Sequence, residues 1–265
     1  MLERLARGSD TVRAPPIRSV RIAGQGGTGL RTWTLPAEDF AALWFGPAND
    51  RMPFPFRFLS RFALADEYEA HRTKTRDTFS ADRFEDLHHA LHIIAEPRAR
   101  IEVYGRRGER EELRILGCID GRPGVVASQR RGGDITLQLV SAEKVAGLVV
   151  DRLPEAGPGS KRVQRFATSA LADDAPFVMR TDGVSEKARY AKIVNAPRAS
   201  EGTLSVYAGP RHGDQRVTGT VRWYDLVGDG RYLETRTRDT IEVKPAALND
   251  ILARIHKALK ASEMH

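Results

Sequence analysis

The chain has 265 residues, 41% of them hydrophobic, enough for one large or two small domains with a proper core. Its 42 Lys+Arg against 35 Asp+Glu leave a net charge of +7, which suits an acidic partner or nucleic acid and makes a basic nucleic-acid-binding protein one alternative reading. The basic residues are nonetheless mixed with acids, as in RGEREELR (107–114) and RYLETRTRD (231–239), so a solvated, arginine-rich surface is expected rather than a nucleic-acid stripe.

No apolar stretch reaches the length of a membrane span, and residues 1–20 carry Glu3, Arg4, Arg7, Asp10, Arg13 and Arg18 with no apolar leader. A soluble, cytoplasmic protein is expected. The single cysteine, Cys118, lies in the apolar run ILGCI and has no partner for an intrachain disulfide, so a buried thiol is expected.

In chain order, the first feature is RIAGQGGTGLRTW (21–33), where Gly24, Gly26 and Gly29 fit the G-x-G-x-x-G dinucleotide pattern. That pattern works when its glycines open a helix, whose N-terminus holds the pyrophosphate. Here they open LRTWTLP, in which Leu30, Thr32 and Thr34 alternate against Arg31, Trp33 and Leu35 as in extended chain. Residues 1–31 therefore read as a flexible, glycine-rich tail without a nucleotide site.

PAEDFAALW (36–44) opens a helix with a proline and early acids and lines up Phe40, Leu43 and Trp44. The proline-broken segment MPFPFRFLSRFAL (52–64) carries Phe54, Phe56, Phe58 and Phe62. Most of these rings are expected in the core, and an exposed subset would mark a partner surface. Helices are predicted over 65–78 and 82–95, the second aligning Phe84, Leu87, Leu91 and Ile94.

That second helix contains HHALH, and His88 with His92 at i, i+4 could hold one metal ion from one face. The position after His88 holds His89 instead of the glutamate of H-E-x-x-H, so a partly buried histidine is the expected reading and a metal-dependent enzyme the alternative. No G-x-S-x-G elbow appears, and Asp173 and Asp174 sit in a loop.

The most informative feature is an internal echo. HIIAEPRARIEVYG (92–105) recurs as KIVNAPRASEGTLSVYAG (192–209), with Pro97-Arg98-Ala99 matching Pro197-Arg198-Ala199. Each strand is followed by a polar glycine turn and a second apolar strand, LRILGCIDGR (113–122) or VRWYDLVGDGR (221–231). Both end in Asp-Gly-Arg, a tight-turn signal, so Asp120 and Asp229 are assigned to geometry.

Each half then makes another strand and closes in a helix. These are SAEKVAGLVVDRL (141–153), with Val145, Leu148, Val149 and Leu153 on one face, and KPAALNDILARIHKAL (244–259). The second helix aligns Leu248, Ile251, Leu252, Ile255 and Leu259 and takes Pro245 into its first turn. The Pro/Gly-rich PEAGPGSK (154–161) separates a first half, 32–153, from a second, 162–262. The expectation is an α+β protein: a pseudo-twofold duplicated unit with a central antiparallel sheet flanked by helical bundles.

WTLPAEDFAALW followed by PFPF, ALHIIAEPRARIEVYG, the DGR hairpin with VVASQ, and the ending VRWYDLVGDGRYLETRTRDTIEVKPAALNDILARI together resemble the EspG family of type VII (ESX) secretion-associated proteins of actinobacteria. The likeness covers about residues 32–260, judged from the order of elements. It implies a cytosolic, non-enzymatic chaperone with no cofactor, a monomer or weak homodimer. It also implies a partner, a PE–PPE-type heterodimer whose apolar PPE helical tip is covered and kept soluble until secretion. The resemblance transfers no contact residues; the docking surface expected is the second-half hairpin, with Arg222, Tyr224, Asp225, Arg231 and Leu233, together with the last helix, and pattern alone does not decide which hairpin face is outside.

Overall fold

A computed structural model describes residues 21–23, 31–130, 133–171 and 185–263. The glycines of the dinucleotide-like pattern, Gly24, Gly26 and Gly29, and the Asp173–Asp174 pair lie outside them. Just after those glycines the chain enters a strand, β2 (Arg31–Leu35), paired antiparallel with β1 (Arg21–Ala23). Arg31 is thus the first residue of a sheet strand, not the end of a tail, and Trp33 and Leu35 are buried as the alternation predicts.

After α1 (Ala37–Trp44), α2 (Ala65–Thr78), a single 3₁₀ turn at Asp82–Phe84 and α3 (Glu85–Ala95), the chain lays down β3 (Ala99–Arg107), β4 (Glu111–Ile119), β5 (Pro123–Gln129) and β6 (Ile135–Ser141), closing with α4 (Ala142–Val150). The second half runs β7 (Gln164–Ala167), α5 (Glu186–Val194), β8 (Arg198–Ala208), β9 (Arg216–Leu226), β10 (Arg231–Arg236), β11 (Thr240–Pro245) and α6 (Leu248–Glu263). All described strands form one sheet in the order β1-β2-β6-β5-β4-β3-β8-β9-β10-β11-β7.

Outward from the centre, β3-β4-β5-β6-β2 mirrors β8-β9-β10-β11-β7, so the duplication in sequence is a duplication in space. The halves meet where β3 pairs antiparallel with β8, and the equivalent residues Glu102 and Ser205 face each other across the pseudo-twofold. Gly105 and Gly202 also pair at this seam. A side chain on Gly105 would run into the Glu201 carbonyl, and one on Gly202 into the Trp223 indole, which is fully buried. The absent side chains let the halves close.

The two sheet faces carry different layers. On one, α4 and α6 pack side by side, burying Val145, Val149, Ile251 and Ile255 against Ile101, Val103, Leu204, Val221 and Trp223. On the other, α1 and α3 cover the first half with Phe40, Trp44, Leu87, Leu91 and Ile94, while Ile193 of α5 joins Phe166, Tyr224, Tyr232 and Val243. Adjacent strand residues diverge to opposite layers, Leu116 to one and Ile115 to the other.

Two local readings need correction. Pro245 ends β11 and is not in the last helix, which starts at Leu248 with Asp250 Oδ2 accepting from Ala247 N at 2.9 Å. Residues 157–159 are not a free connector: Arg231 N donates to Gly157 O at 2.7 Å and Gly159 N to Arg231 O at 3.0 Å. α2 buries only Thr75 and is tied to α1 by polar contacts, His71 Nε2 to Asp39 Oδ1 at 3.0 Å and Arg76 Nε to Ala42 O at 3.0 Å. Burial pushes the Asp39 carboxyl up, with the His71 charge opposing it.

The segment between the halves is pinned by an ion pair. Arg231, fully buried, donates to Asp225 through Nε (2.7 Å) and Nη2 (2.8 Å) and to Pro154 O at 2.5 Å, while Ser200 Oγ donates to Asp225. Removing one member strands the other charge in the interior, at a cost of about 3–5 kcal/mol. Arg231→Ala is therefore expected to lose stability of that order in urea unfolding, and the double variant R231M/D225L to recover most of it. An unchanged midpoint in Arg231→Ala would refute this role.

Candidate functional site

On the face opposite α4 and α6, the centre of the sheet carries no helix among the described residues. Register places Tyr104 beside Arg114 and Thr203, Arg106 beside Glu112 and Glu201, and Thr203 beside Arg222, all on that face. They floor a groove of about 800 Å³, a size typical of a binding cleft.

One wall is the arm 51–62 that connects α1 to α2. It is held from below by Gln129 at the end of β5. The side chain of Gln129 is buried, accepts from Arg57 N (3.0 Å) and donates to Arg57 O (2.6 Å), in the manner of a strand partner. Arg114 also donates to Pro55 O, and Trp44 Nε1 to Arg51 O at 2.7 Å. The phenylalanines divide accordingly. Phe56 is in the core beside Phe40; Phe58 and Phe62 are half-buried against Tyr68; Phe54 is 51% exposed and leans on Tyr104, centroids 5.9 Å apart. Leu59 stands 82% exposed at the groove wall.

The groove floor is ionic. Glu112 accepts from Arg114 at 2.9 Å and lies 3.5 Å from Arg57. Glu201 is bridged by Arg106 at 2.5 Å, by Arg198, and by Arg222 at 3.8 Å. Five guanidinium groups thus share two carboxylates. Arg114 hydrogen bonding holds the Glu112 carboxyl below its usual range. For Glu201, burial opposes ionisation, but hydrogen bonds and charge from Arg198 and Arg106 outweigh it and the pKa is lowered.

Beyond the pseudo-twofold the same face is closed by another ionic group. Arg100 Nε donates to Glu102 Oε1 at 2.8 Å, and the guanidinium caps the Tyr207 ring at 4.2 Å, as Arg114 caps Tyr104 at 5.1 Å. Tyr104 and Tyr207 are equivalent in the echo, so an Arg–Tyr stack recurs in both halves, open to solvent at Tyr104.

Of the five residues assigned to the second-half hairpin surface, Arg222 lines the groove. Tyr224, Asp225, Arg231 and Leu233 are buried, which corrects the expectation of an exposed row. The reason is the double layer: Trp223 and Leu233 point into the α4/α6 core, Tyr224 into the α5 side, and Asp225 and Arg231 neutralise each other. Among the described residues, neither face of the strand from Trp223 to Asp225 is free.

His88 is exposed rather than partly buried, and its Nε2 donates to Phe79 O at 2.8 Å. His92 is exposed, and among the described residues no group of three or more His, Cys, Asp or Glu is placed to hold a metal ion. Burial pushes the Cys118 thiol up to about 12, leaving it protonated and unreactive. The two Asp-Gly turns sit at equivalent hairpins, β4–β5 and β9–β10, as the echo requires. No described helix is long and apolar enough to cross a membrane.

The EspG family model matches residues 36–257. The chain belongs to the EspG family. In three dimensions it is similar to the Mycobacterium tuberculosis type VII secretion system chaperone EspG5, solved in complex with a PE25–PPE41 dimer. The TM-score is 0.55 at 16% sequence identity, covering 86% of this chain and 96% of that one. At that identity the likeness establishes a shared fold. No curated protein matches the chain in sequence.

Sequence reasoning did not find Tyr104, Arg106, Arg114, Gln129 or Glu201. The one usable signal was MPFPF, whose broken backbone marks an arm that must be supported from elsewhere. The depressed Glu201 pKa contributes to the acid limb of stability. Stability from its arginine contacts is full above the ordinary glutamate value of 4.5 and is lost as pH falls through the lower folded value. Glu201→Gln is expected to flatten the fall of the urea midpoint below pH ~4.5 relative to the parent chain. Identical acid limbs would show that Glu201 is not held ionised by the fold.

Proposed function

We propose that this EspG-family member is a non-enzymatic, cytoplasmic chaperone of a type VII (ESX) secretion system. It binds a PE–PPE-type heterodimer at the apolar tip of the PPE helices and keeps it soluble until secretion. The observation that carries the reading is family membership over residues 36–257, joined to a fold shared with a chaperone held in complex with a PE–PPE dimer. The central sheet face supports it, because a shallow, walled groove with exposed apolar groups and fixed charges suits a helical tip better than a small metabolite. Arg222 is the hairpin residue available for contact; the buried Asp225–Arg231 pair shapes the strands that present it.

Co-expression with the PE–PPE pair encoded at the same ESX locus is expected to give a stable complex of one copy each in size-exclusion chromatography with light scattering. The PPE protein is expected to be insoluble when this chain is omitted. Separate elution, with an already soluble PE–PPE pair, would overturn the reading.

A further inference from the structure

The groove is chemically lopsided in a way that specifies its occupant. Two exposed apolar groups line it, Leu59 at 82% on the arm and Tyr104 at 41% on the floor, and Phe54, 51% exposed, leans on Tyr104 beside them. Single exposed apolar residues are ordinary, but three gathered at one groove are not. The aromatic pair is also ordered, because Arg114 stacks on Tyr104 while donating to the arm at Pro55 O. An anchor already held in place loses little conformational entropy when a partner arrives.

Six arginines and five glutamates line the groove, a positive excess of one, and two of those arginines sit only loosely on their carboxylates. The looser contacts, Arg57 to Glu112 at 3.5 Å and Arg222 to Glu201 at 3.8 Å, leave guanidinium donors uncommitted on either side of Tyr104. Arg57 is 63% and Arg222 40% exposed, so both reach an incoming group from solvent. Planar guanidinium donors match a carboxylate in two-pronged geometry.

We infer that the groove receives a protein segment that places apolar side chains against Leu59, Phe54 and Tyr104 and an aspartate or glutamate between Arg57 and Arg222. This rests on the chaperone reading and goes further by fixing the chemistry of the docked segment and its orientation. The apolar end lies toward the arm, and the carboxylate lies over the β3–β8 seam. The apolar contact supplies most of the affinity and the carboxylate mainly the orientation and association rate.

The test uses the full chain and the PE–PPE pair of its locus in calorimetry or surface-immobilised binding, across a range of salt concentrations. Leu59→Asp is expected to weaken binding at least about tenfold, as removal of a central anchor does. The pair R57E/R222E is expected to weaken it and to remove the salt dependence, while Arg222→Lys retains part of both. Val163→Asp, a 50% exposed site away from the groove, is the control and is expected to bind as the parent does. Thermal unfolding of each variant confirms the fold, which these exposed positions leave intact.

On the partner, glutamine replacement of the acidic residues at the docked tip, one at a time, is expected to reproduce the charge-reversal effect at a single position. If the parent chain binds but Leu59→Asp and R57E/R222E bind equally well, the groove is not the docking site and the inference falls while the chaperone reading stands. If the parent chain fails to bind the pair at all, both fall together.

Discussion

The pairing of β3 with β8 is the interaction on which the rest of this structure depends. It joins two short meanders into a continuous sheet, with α4 from one half and α6 from the other packed side by side behind it. The seam tolerates no bulk at Gly105 or Gly202, because Trp223 lies across it and the neighbouring backbone is in contact. By bringing the two half-sheets together at the centre and leaving the helix groups outboard, it also creates an open strip of sheet flanked by α1–α3 on one side and α5 on the other. The groove is thus a product of duplication: its floor draws on β3 and β4 from one half and β8 and β9 from the other.

Duplication alone would make a symmetric surface, and the ionic groups show how symmetry is broken. Tyr104 and Tyr207 occupy equivalent places and each carries an arginine, yet Arg100 is sealed by Glu102 whereas Arg114 supports an exposed arm. One end becomes part of the interior and the other becomes accessible. A buried ionic cluster contributes little net stability once its desolvation is counted, so its value here lies in fixing strand positions. The accessible end retains uncommitted donors, which suits recognition.

Much of the plan was legible in the sequence because it was written twice. The matching Pro-Arg-Ala strands, the Asp-Gly-Arg turns and the closing helices each follow from local chemistry, and they place β3–β6 with α4 and β8–β11 with α6 correctly. α2 was also bounded as predicted, at residues 65–78. α5 and β7 were not foreseen, since α5 fully buries only Ile193 and β7 only Phe166, too few positions to set a period. The hairpin surface failed for a different reason. In VRWYD every position from Trp223 to Asp225 is buried, because layers cover both faces, and a one-sided alternation rule has nothing to read there. The exposure of Phe54 and Leu59 was equally hidden, since it depends on Gln129 and Arg114, which reach the arm from strands far along the chain.

The central claim is that the open face over the β3–β8 seam, and not the α4/α6 face, is where a partner docks. Amide hydrogen exchange of the chain, alone and with the PE–PPE pair of its locus, tests it most directly. The account predicts added protection confined to the arm at 54–59, the ends of β3 and β4 near Tyr104 and Arg114, and the Thr203–Arg222 pairing, with α4 and α6 unchanged. Protection that appears on α6 and leaves the arm and seam as they were would contradict it.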